Sequence, residues 1–391
     1  MSDSESPLRG KDIRKRNEKL ILSLIQMNGD LSQSQAVTLT GLKPPTILRI
    51  FTNLEKDKLI KINNKKSSNT EKKGRKPVFF KINNKAAYAI GIDFCSTSVS
   101  IVIVNFNREP VYENFVEFNH VHTGESIIQY LFKLIDTGLS ELNIEMNKVL
   151  GIGIGAPGRV DVNSGTAFYF DRIQGITDYH LKDYMENRYN IPVFVNNNCS
   201  VIAMNEYQHG IVSDSRSLIT LLIRSGVGGA FINEGKVFTS NNMSPMEIGH
   251  ICIDPNGRKC NCGERGCLES YLSESAIIND LKEIHPIDSF LEIDEYLIYE
   301  DKPMKEFLIH KAEYFAMALK ILNRSFYPDT FLIISRSALF AEKITSYCKE
   351  IMLKDSKRFN SKPVTLTHTA YIPLNAGQGA ADMVFADYFN N

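Results

Sequence analysis

The chain has 391 residues, of which 43% are hydrophobic, and this length predicts two or three domains. It contains no run of about 18 apolar residues and its first ten residues have no apolar signal core, so we expect a cytoplasmic protein without a membrane partner. The formal net charge is zero, but residues 1–85 hold 19 Lys and Arg against 8 Asp and Glu. This basic head on an acidic body predicts that the head binds a polyanion such as nucleic acid.

The basic head has the pattern of a helix-turn-helix followed by a wing. Residues 14–28 have the spacing of an amphipathic helix, and Ser32 is suited to cap a second helix that Gly41 ends. Pro44 fits the first turn of a third helix, where a missing N–H costs little. Residues 59–82 then contain an apolar strand, a basic loop and a second strand, which predicts a β-hairpin wing.

The third helix carries the side chains that we expect to read DNA. Thr46, Arg49 and Asn53 lie on one helical face, where arginine can bind guanine and asparagine can bind adenine. Basic residues before the helix and in the wing would bind phosphates, and these are Lys43, Lys72, Lys73, Arg75 and Lys76. The alternative is a small protein-binding domain with a charged face. The agreement of helix spacing, turn, wing and charge favours DNA binding.

The rest of the chain alternates strand and helix patterns. Residues 88–118 and 217–238 both consist of a strand, a turn of small residues, a strand, a polar turn and a third strand. This internal repeat predicts a duplicated α/β domain with two lobes. Helical stretches separate the strands, which predicts sheets covered by helices. These stretches are residues 125–142, 199–209, 271–284 and 304–325.

Three of the seven cysteines form a cluster that predicts a metal site. Cys260, Cys262 and Cys267 follow His250 in the pattern H-x9-C-x-C-x4-C. Three thiolates and an imidazole are a donor set that tetrahedral zinc prefers. Buried free cysteines and an iron–sulfur cluster are the alternatives, and the histidine disfavours the second. Because four protein ligands leave no open position, we expect a closed, structural zinc site.

Polar side chains near the glycine turns predict a binding site for a polyhydroxy ligand. The segment 151–159 has the pattern of a strand that ends in a tight turn, and a glycine-rich turn at 226–229 ends another strand. Three asparagines, Asn196 to Asn198, end a further strand, while Glu247 and Glu269 flank the metal cluster. Carboxylates accept hydrogen bonds from sugar hydroxyls, and amides both donate and accept.

These motifs resemble those of the ROK family of repressors, open reading frames and kinases. The most specific element is EIGH at 247–250 followed by CNCGERGCLE at 260–269, and the resemblance covers residues 12–391. The head resembles that of the family's repressors, whereas the short kinases lack it. The resemblance implies an α/β fold, an actin/hexokinase-like two-lobed domain preceded by a winged helix-turn-helix, with sugar in the cleft.

The resemblance also implies domain boundaries and ligands. The head would span 10–85 and the sugar-sensing domain 86–391, with one lobe from 86–197 plus a C-terminal helix at 377–391, and the other lobe from 198–376. Zinc would be held by His250, Cys260, Cys262 and Cys267. The sugar would contact Arg159, Asn197, Asn198, Glu247, His250 and Glu269.

Three departures from the family's kinases predict that phosphoryl transfer is lost. The kinases carry a catalytic aspartate where this chain has Asn198. Their first phosphate turn, D-x-G-G-T, is replaced by DFCST at 93–97, and the late nucleotide turn at 333–337 lacks its glycines. Only the glycines at 226–229 and at 377–379 remain.

The leading hypothesis is therefore a sugar-responsive DNA-binding transcriptional regulator that is not an enzyme. It would repress carbohydrate-utilisation genes and bind its operator as a homodimer or homotetramer. One alternative is an ATP-dependent sugar kinase with an appended head, which Asn198 and the missing glycines disfavour. Another is a constitutive DNA-binding protein with a vestigial cleft, which the retained Glu247, His250 and Glu269 disfavour.

Overall fold

The structure is a computed structural model. It describes residues 10–64, 77–118, 123–169, 173, 177–239, 246–359 and 364–390. Among these residues, no helix combines the length and the apolar character that crossing a bilayer requires. The chain forms an N-terminal head and a body built around two five-stranded sheets.

The head contains three helices and a small antiparallel sheet. The helices are α1 (Gly10–Asn28), α2 (Gln33–Thr40) and α3 (Pro44–Lys56). The strands are β1 (Leu31–Ser32), β2 (Ile60–Ile62) and β3 (Phe79–Ile82), in the order β1-β3-β2. Strands β2 and β3 pair antiparallel as the predicted hairpin, and residues 65–76 between them lie outside the described ranges.

The helix boundaries in the head follow from local capping. The Oγ of Ser32 accepts a hydrogen bond from the Gln35 N–H at 3.3 Å, and the Gln35 side chain accepts one from the Ser32 N–H at 2.9 Å. Gly41 ends α2 in the left-handed conformation, with φ 69°. Pro44 occupies the first turn of α3. The predicted helix-turn-helix is confirmed.

The first sheet of the body has the strand order β11-β7-β4-β5-β6. Its strands are β4 (Tyr88–Phe94), β5 (Ser98–Asn105), β6 (Pro110–Glu117), β7 (Val149–Ala156) and β11 (Val193–Asn197). Helices α4 (Gly124–Glu141) and α5 (Leu181–Tyr189) belong to the same half of the body. A separate small sheet follows β7 and contains β8 (Arg159–Asp161), β9 (Thr166–Tyr169) and β10 (Thr177–His180).

The second sheet has the strand order β14-β13-β12-β15-β16. Its strands are β12 (Ser217–Ile223), β13 (Val227–Asn233), β14 (Lys236–Val237), β15 (Thr330–Ser335) and β16 (Thr365–Ala370). The helices of this half are α7 (Glu269–Leu272), α8 (Glu274–Leu281), α9 (Ile293–Tyr299), α10 (Lys302–Phe326) and α11 (Ala338–Phe359). Helix α6 (Asn198–His209) connects β11 of the first sheet to β12 of the second.

The two sheets have the same topology, which confirms the predicted duplication. In each, the first three strands pair antiparallel and the next two continue parallel to the first strand. Strands β4 and β12 therefore occupy equivalent central places. The turn after each of them, at 94–98 and at 223–227, contributes residues to one cavity.

The C-terminal helix α12 (Pro373–Asn390) packs on the first sheet. A Cβ on Gly91 would lie 1.9 Å from the Gly377 carbonyl oxygen, and a Cβ on Gly153 would lie 1.8 Å from that of Ala380. The helix begins at Pro373 rather than at the predicted residue 377, so Gly377 and Gly379 lie inside it. Their interpretation as a remaining nucleotide turn is wrong, because Gly377 permits close packing of the helix on the sheet and Gly379 permits close packing on α6.

Helix α12 also contacts the head. The rings of Tyr388 and Phe389 pack on Phe106, with centroids 5.7 and 6.3 Å apart. From α1, the Lys19 Nζ lies 4.9 Å from the Tyr388 ring centroid, and the Gln26 amide donates to the Phe106 carbonyl at 3.2 Å. Buried side chains of the head, of β5 and of α12 belong to one continuous apolar cluster. The head is thus packed against the body.

Candidate functional site

A cavity lies between the two sheets and brings together all the residues predicted to contact sugar. It is lined by Arg159, Asn197, Asn198, Glu247, His250 and Glu269, and also by Cys95, Cys199, Arg224 and Cys262. Its volume of about 180 Å³ is below the roughly 300–1,000 Å³ of pockets for drug-sized molecules. A ligand of monosaccharide size suits this space. That these side chains contact a sugar stays a prediction.

The two asparagines lie where β11 meets α6. The Asn197 Oδ1 accepts a hydrogen bond from the Cys199 N–H at 2.8 Å and caps α6. The Asn197 Nδ2 donates to the Gly158 carbonyl at 2.7 Å, which fixes the turn that precedes Arg159. Asn198 is buried, and its Nδ2 donates to the Phe94 carbonyl at 3.5 Å. These hydrogen bonds therefore join the start of α6 to the turn before Arg159 and to the end of β4 at this edge of the cavity.

The carboxylates of the cavity already have partners within the chain. The Arg159 Nε lies 3.1 Å from Glu247 Oε1, and both side chains are about half-exposed. An ion pair of this exposure contributes about 0–1 kcal/mol, so a hydroxylated ligand can displace it at small cost. The Glu269 Oε2 accepts the Val227 N–H at 3.0 Å. This bond ties Glu269 to the glycine turn after β12.

The cysteine cluster has the dimensions of a tetrahedral metal site. The ligand atoms of His250, Cys260, Cys262 and Cys267 all lie within 4.8 Å of one another. The Sγ atoms of Cys262 and Cys267 are 3.7 Å apart, as are the Cys260 Sγ and the His250 Nδ1. Zinc–sulfur bonds of about 2.3 Å in a tetrahedron place two sulfurs about 3.8 Å apart. The residues therefore fit a metal of this size.

The loop that carries the cysteines requires glycine at two turns. Gly263 has φ 98° and Gly266 has φ 70°, in the region that favours glycine. A Cβ on Gly266 would also lie 1.7 Å from the Asp254 carbonyl oxygen. His250 lies three residues after Glu247, and Cys267 lies two before Glu269. The predicted metal ligands are thus close in sequence to the two carboxylates of the cavity.

Arg224, a buried arginine at the inner end of the cavity, was not among the predicted site residues. The Arg224 Nη1 donates to Asp93 Oδ2 at 3.1 Å, and its Nη2 donates to the Cys95 Sγ at 3.1 Å and to the Ser98 Oγ at 3.2 Å. The Tyr371 hydroxyl donates to the same Asp93 oxygen at 2.9 Å. Aligning the two repeats would have placed both residues at the ends of equivalent strands, since Arg224 directly follows β12 and Asp93 lies near the end of β4, but it would not have paired them.

Arg224 and Asp93 form a buried ion pair. Burial raises the pKa of Asp93, while Arg224 and the Tyr371 hydrogen bond oppose that rise. Burial also opposes the charge of Arg224, but Cys95, Tyr371 and Asp93 hold the pKa of Arg224 well above its ordinary value. Arginine keeps its proton in proteins, so Asp93 supplies the counter-charge.

The predicted DNA-reading face of α3 is only partly exposed. Lys43 and Arg49 are exposed and Thr46 is half-buried. Asn53 donates from Nδ2 to the Glu18 Oε1 of α1 at 3.1 Å, so it would have to exchange this bond to reach a base. Leu48 is 55% exposed beside Arg49, and it was not among the residues predicted to face DNA. The buried positions 47, 50, 51 and 54 could have identified this outward face.

The phosphate ligands predicted in the wing, Lys72, Lys73, Arg75 and Lys76, lie outside the described residues. In the described part of the head, the exposed basic residues of α3 and of the segment before it are Lys43, Arg49 and Lys56. The prediction of phosphate contacts by the head stays a prediction.

The body is a duplicated two-lobed α/β domain with a cavity between its sheets, and it is joined to a winged helix-turn-helix. This combination defines a DNA-binding class of protein with a hexokinase-like domain. Residues 89–385 match the ROK family, and residues 14–61 match the family described as winged helix-turn-helix DNA-binding. The chain belongs to the ROK family. Both the predicted family and the predicted fold class are confirmed.

Individual relatives agree with this assignment. The xylose repressor of Bacillus spizizenii is 27% identical over 324 residues, which cover 82% of this chain and 82% of that protein. The crystal structure of a ROK family transcriptional regulator, a homologue of the E. coli MLC protein, covers 96% of this chain and 98% of its own with a TM-score of 0.78 at 20% identity. A ROK family glucokinase from Streptomyces griseus, in complex with glucose and AMPPNP, has a TM-score of 0.65 at 22% identity and covers 76% of this chain and 99% of its own. The fold of the body is thus found in regulators and in kinases.

Proposed function

We propose that the protein is a sugar-responsive transcriptional repressor that binds operator DNA through residues 10–85 and a sugar or sugar derivative through residues 86–391. The observation that carries the proposal is that one chain contains both a winged head whose third helix exposes Arg49 and a cavity lined by carboxylates and amides. The relative from Bacillus spizizenii is named a xylose repressor, and this supports the proposal. We propose that it acts in the cytoplasm as a homodimer or homotetramer on a symmetric operator.

Within this proposal the body has two lobes with separate tasks. The first comprises residues 86–197 with the C-terminal helix, and the second comprises residues 198–376. Sugar would bind between them, against Arg159, Asn197, Asn198, Glu247, His250 and Glu269. Helix α6 begins at the cavity and packs on α12, which also contacts α1 of the head. This chain of contacts offers a route by which the sugar changes the affinity for DNA.

The proposed metal is zinc, held by His250, Cys260, Cys262 and Cys267. Zinc supplies a tetrahedral cross-link that contributes folding free energy to the loop. The ligands fix the backbone next to Glu247 and Glu269, so the loop would hold these carboxylates at the cavity. Because the Cys260 Sγ faces the Nδ1 of His250, the other ring nitrogen of His250 remains for a ligand in the cavity.

We propose further that the protein does not transfer phosphate from ATP to the sugar. Asn198 stands where the family's kinases have a carboxylate base, and an amide does not take up the proton of an attacking hydroxyl. At the place of the first phosphate turn, the side chains of Cys95 and Ser98 contact Arg224. The second candidate, a sugar kinase with an appended head, is favoured only by the shared fold of the glucokinase.

The test is a thermal-shift screen of the full chain against aldopentoses, aldohexoses, N-acetylhexosamines and their phosphates. Each compound that raises the melting temperature is then added to operator fragments selected from genomic DNA with the protein. We expect at least one compound to stabilise the protein and to change its operator affinity. Tight operator binding that no stabilising compound alters would contradict the proposal.

Arg49→Ala should weaken specific operator binding by about 1–3 kcal/mol, because a bidentate contact to a base edge is lost. Binding to unrelated DNA should weaken far less, so discrimination falls. The measurement is a fluorescence titration with operator and with shuffled DNA at fixed salt. Lys148→Ala, which removes one exposed positive charge from the body, is the control. Unchanged discrimination in Arg49→Ala would show that α3 does not read the bases.

Glu247→Gln should abolish the response of operator binding to the sugar while binding without sugar stays intact. The amide keeps the shape of the side chain but loses a charged acceptor, and hydrogen bonds to charged groups contribute about 1.5–3 kcal/mol. Calorimetry with the sugar found in the screen and operator titration measure the two effects. Glu264→Gln changes an exposed residue of the same loop that does not line the cavity and serves as control. A full response in Glu247→Gln would remove Glu247 from the sugar site.

A further inference from the structure

Two arginines of the second lobe bind the first lobe across the inner end of the cleft. Arg224 reaches Asp93 near the end of β4, Cys95 in the turn that follows, and Ser98 at the start of β5. Its guanidinium carbon also lies 4.1 Å from the ring centroid of Tyr371, which follows β16. Only 6% of the Arg224 side chain and 1% of the Asp93 side chain are exposed. A charged pair between lobes is therefore sealed from water.

The second arginine lies in the turn after β15. The Arg336 Nη1 donates to the Glu117 Oε1 of the first lobe at 3.0 Å. On its own lobe, the Glu274 carboxylate accepts from the Arg336 Nε at 2.8 Å and from Nη2 at 3.0 Å. The Glu274 N–H in turn donates to the Arg224 carbonyl at 2.9 Å. Glu274 thus links the two arginines.

Both arginines hold the same edge of the first lobe. Ser98, which contacts Arg224, and Glu117, which contacts Arg336, are register partners on the neighbouring strands β5 and β6. The lobes are joined here by charged groups in fixed geometry rather than by apolar packing. Burying ions costs free energy that apolar side chains would not cost, so this arrangement is a weak source of stability and a strong constraint on geometry.

We infer that Arg224 and Arg336 are positioning residues that hold the lobes closed without a bridging ligand, and that Arg224 excludes a nucleotide phosphate chain from the inner cleft. A phosphate chain that entered between the turns at 94–98 and 223–227 would have to displace the guanidinium from Asp93 and Tyr371. The consequence for sugar binding rests on the proposed sugar site, whereas the closure of the lobes and the exclusion of nucleotide do not.

Closure by the chain itself has a consequence for sugar binding. Arg224 precedes the turn whose Val227 N–H holds Glu269, so the arginine anchors a carboxylate of the cavity to the first lobe. A sugar then meets a formed site, and its binding does not have to supply the free energy of closing the lobes.

The test compares the full-length protein with the double variant Arg224→Met/Asp93→Asn, which removes both charges together so that neither is left buried alone. Hydrogen exchange is measured without any ligand. We expect the amides at 94–98 and 223–227 to lose protection by about tenfold or more, while those of β15 and α10 stay unchanged. Arg336→Leu should give a smaller loss at the same segments. The loss of protection in Arg224→Lys should lie between that of the wild type and that of the double variant, because one ammonium cannot reach Asp93, Cys95 and Ser98 together.

The matched control is Arg216→Leu. Arg216 lies just before β12, at the end of that strand opposite to Arg224, and pairs at 2.7 Å with Glu234 of its own lobe. This substitution removes an arginine ion pair next to the same strand and leaves the contacts between the lobes unchanged. We expect wild-type exchange at both turns in this variant. Equal protection in the double variant and in Arg216→Leu would overturn the inference.

A second measurement uses ligands. Mg-ADP should not raise the melting temperature of the wild type, and a saturable rise would overturn the exclusion of nucleotide. Any sugar that stabilises the wild type should bind the double variant about tenfold more weakly if the closed population falls to about a tenth. Unchanged sugar affinity would overturn the positioning role. The exchange experiment needs no sugar, so a failed sugar screen contradicts the proposed function and leaves the closure test standing.

Discussion

Cys262→Ser is expected to yield a protein without bound metal and with a second lobe of much lower stability. A serine hydroxyl does not replace a thiolate in a zinc site, and three remaining ligands hold the ion weakly. Residues 261–265 of the loop are exposed, so little apolar burial remains to keep it folded. Loss of a structural metal belongs to the largest class of single-residue effects, on the order of 3 kcal/mol or more. Elemental analysis should fall from about one zinc per chain to none.

The same loop offers a matched control. Cys252 is exposed, its thiol lies 3.4 Å from the Arg265 carbonyl, and it is not one of the four clustered ligands. Cys252→Ser should keep the zinc and the melting temperature of the wild type. In Cys262→Ser the head should still bind operator, but the sugar response should disappear because Glu247 and Glu269 lose their support. A full complement of zinc in Cys262→Ser would refute the predicted ligand set.

Features fixed by neighbouring residues could be predicted from the sequence. The N-cap at Ser32, the left-handed turn at Gly41 and the proline at the start of α3 each depend on the few residues around them. The clustering of His250, Cys260, Cys262 and Cys267 was also predictable, because three of the four residues lie within eight positions of one another and the structure brings all four ligand atoms within 4.8 Å. The two repeats were visible because each places its strands and turns in the same order.

Features that depend on packing between distant segments were missed. Asp93 and Arg224 meet only because β4 and β12 end at the same cavity, and their pairing has no local pattern. That Asn53 reads DNA stays a prediction, but its hydrogen bond to Glu18 of α1 joins residues 35 positions apart and was not foreseen. Gly377 and Gly379 have the spacing of a phosphate turn, and only the position of α12 against the first sheet and against α6 shows that they serve close packing.

Asn198→Asp is expected not to restore sugar phosphorylation. A general base contributes typically about 10²–10⁴-fold to a rate. Enzymes accelerate their reactions by about 10⁶-fold or more, so the greater part of catalysis must come from the positioning of ATP and sugar. In this chain the buried Arg224 stands between the two turns that would receive the phosphates. A carboxylate at 198 would also oppose the Phe94 carbonyl, to which the present amide donates.

The measurement is ADP release from ATP over the sugar panel, with Asn196→Asp as the matched change. Asn196 is adjacent, undergoes the same replacement of amide by acid, and does not line the cavity. Both variants and the wild type should release ADP at the background rate. If Asn198→Asp alone gave turnover well above Asn196→Asp, ATP must already be bound productively, and the closed inner cleft would be contradicted. If the wild type itself turned over, the protein would be a kinase with a DNA-binding head, since an amide at 198 would then suffice for the reaction.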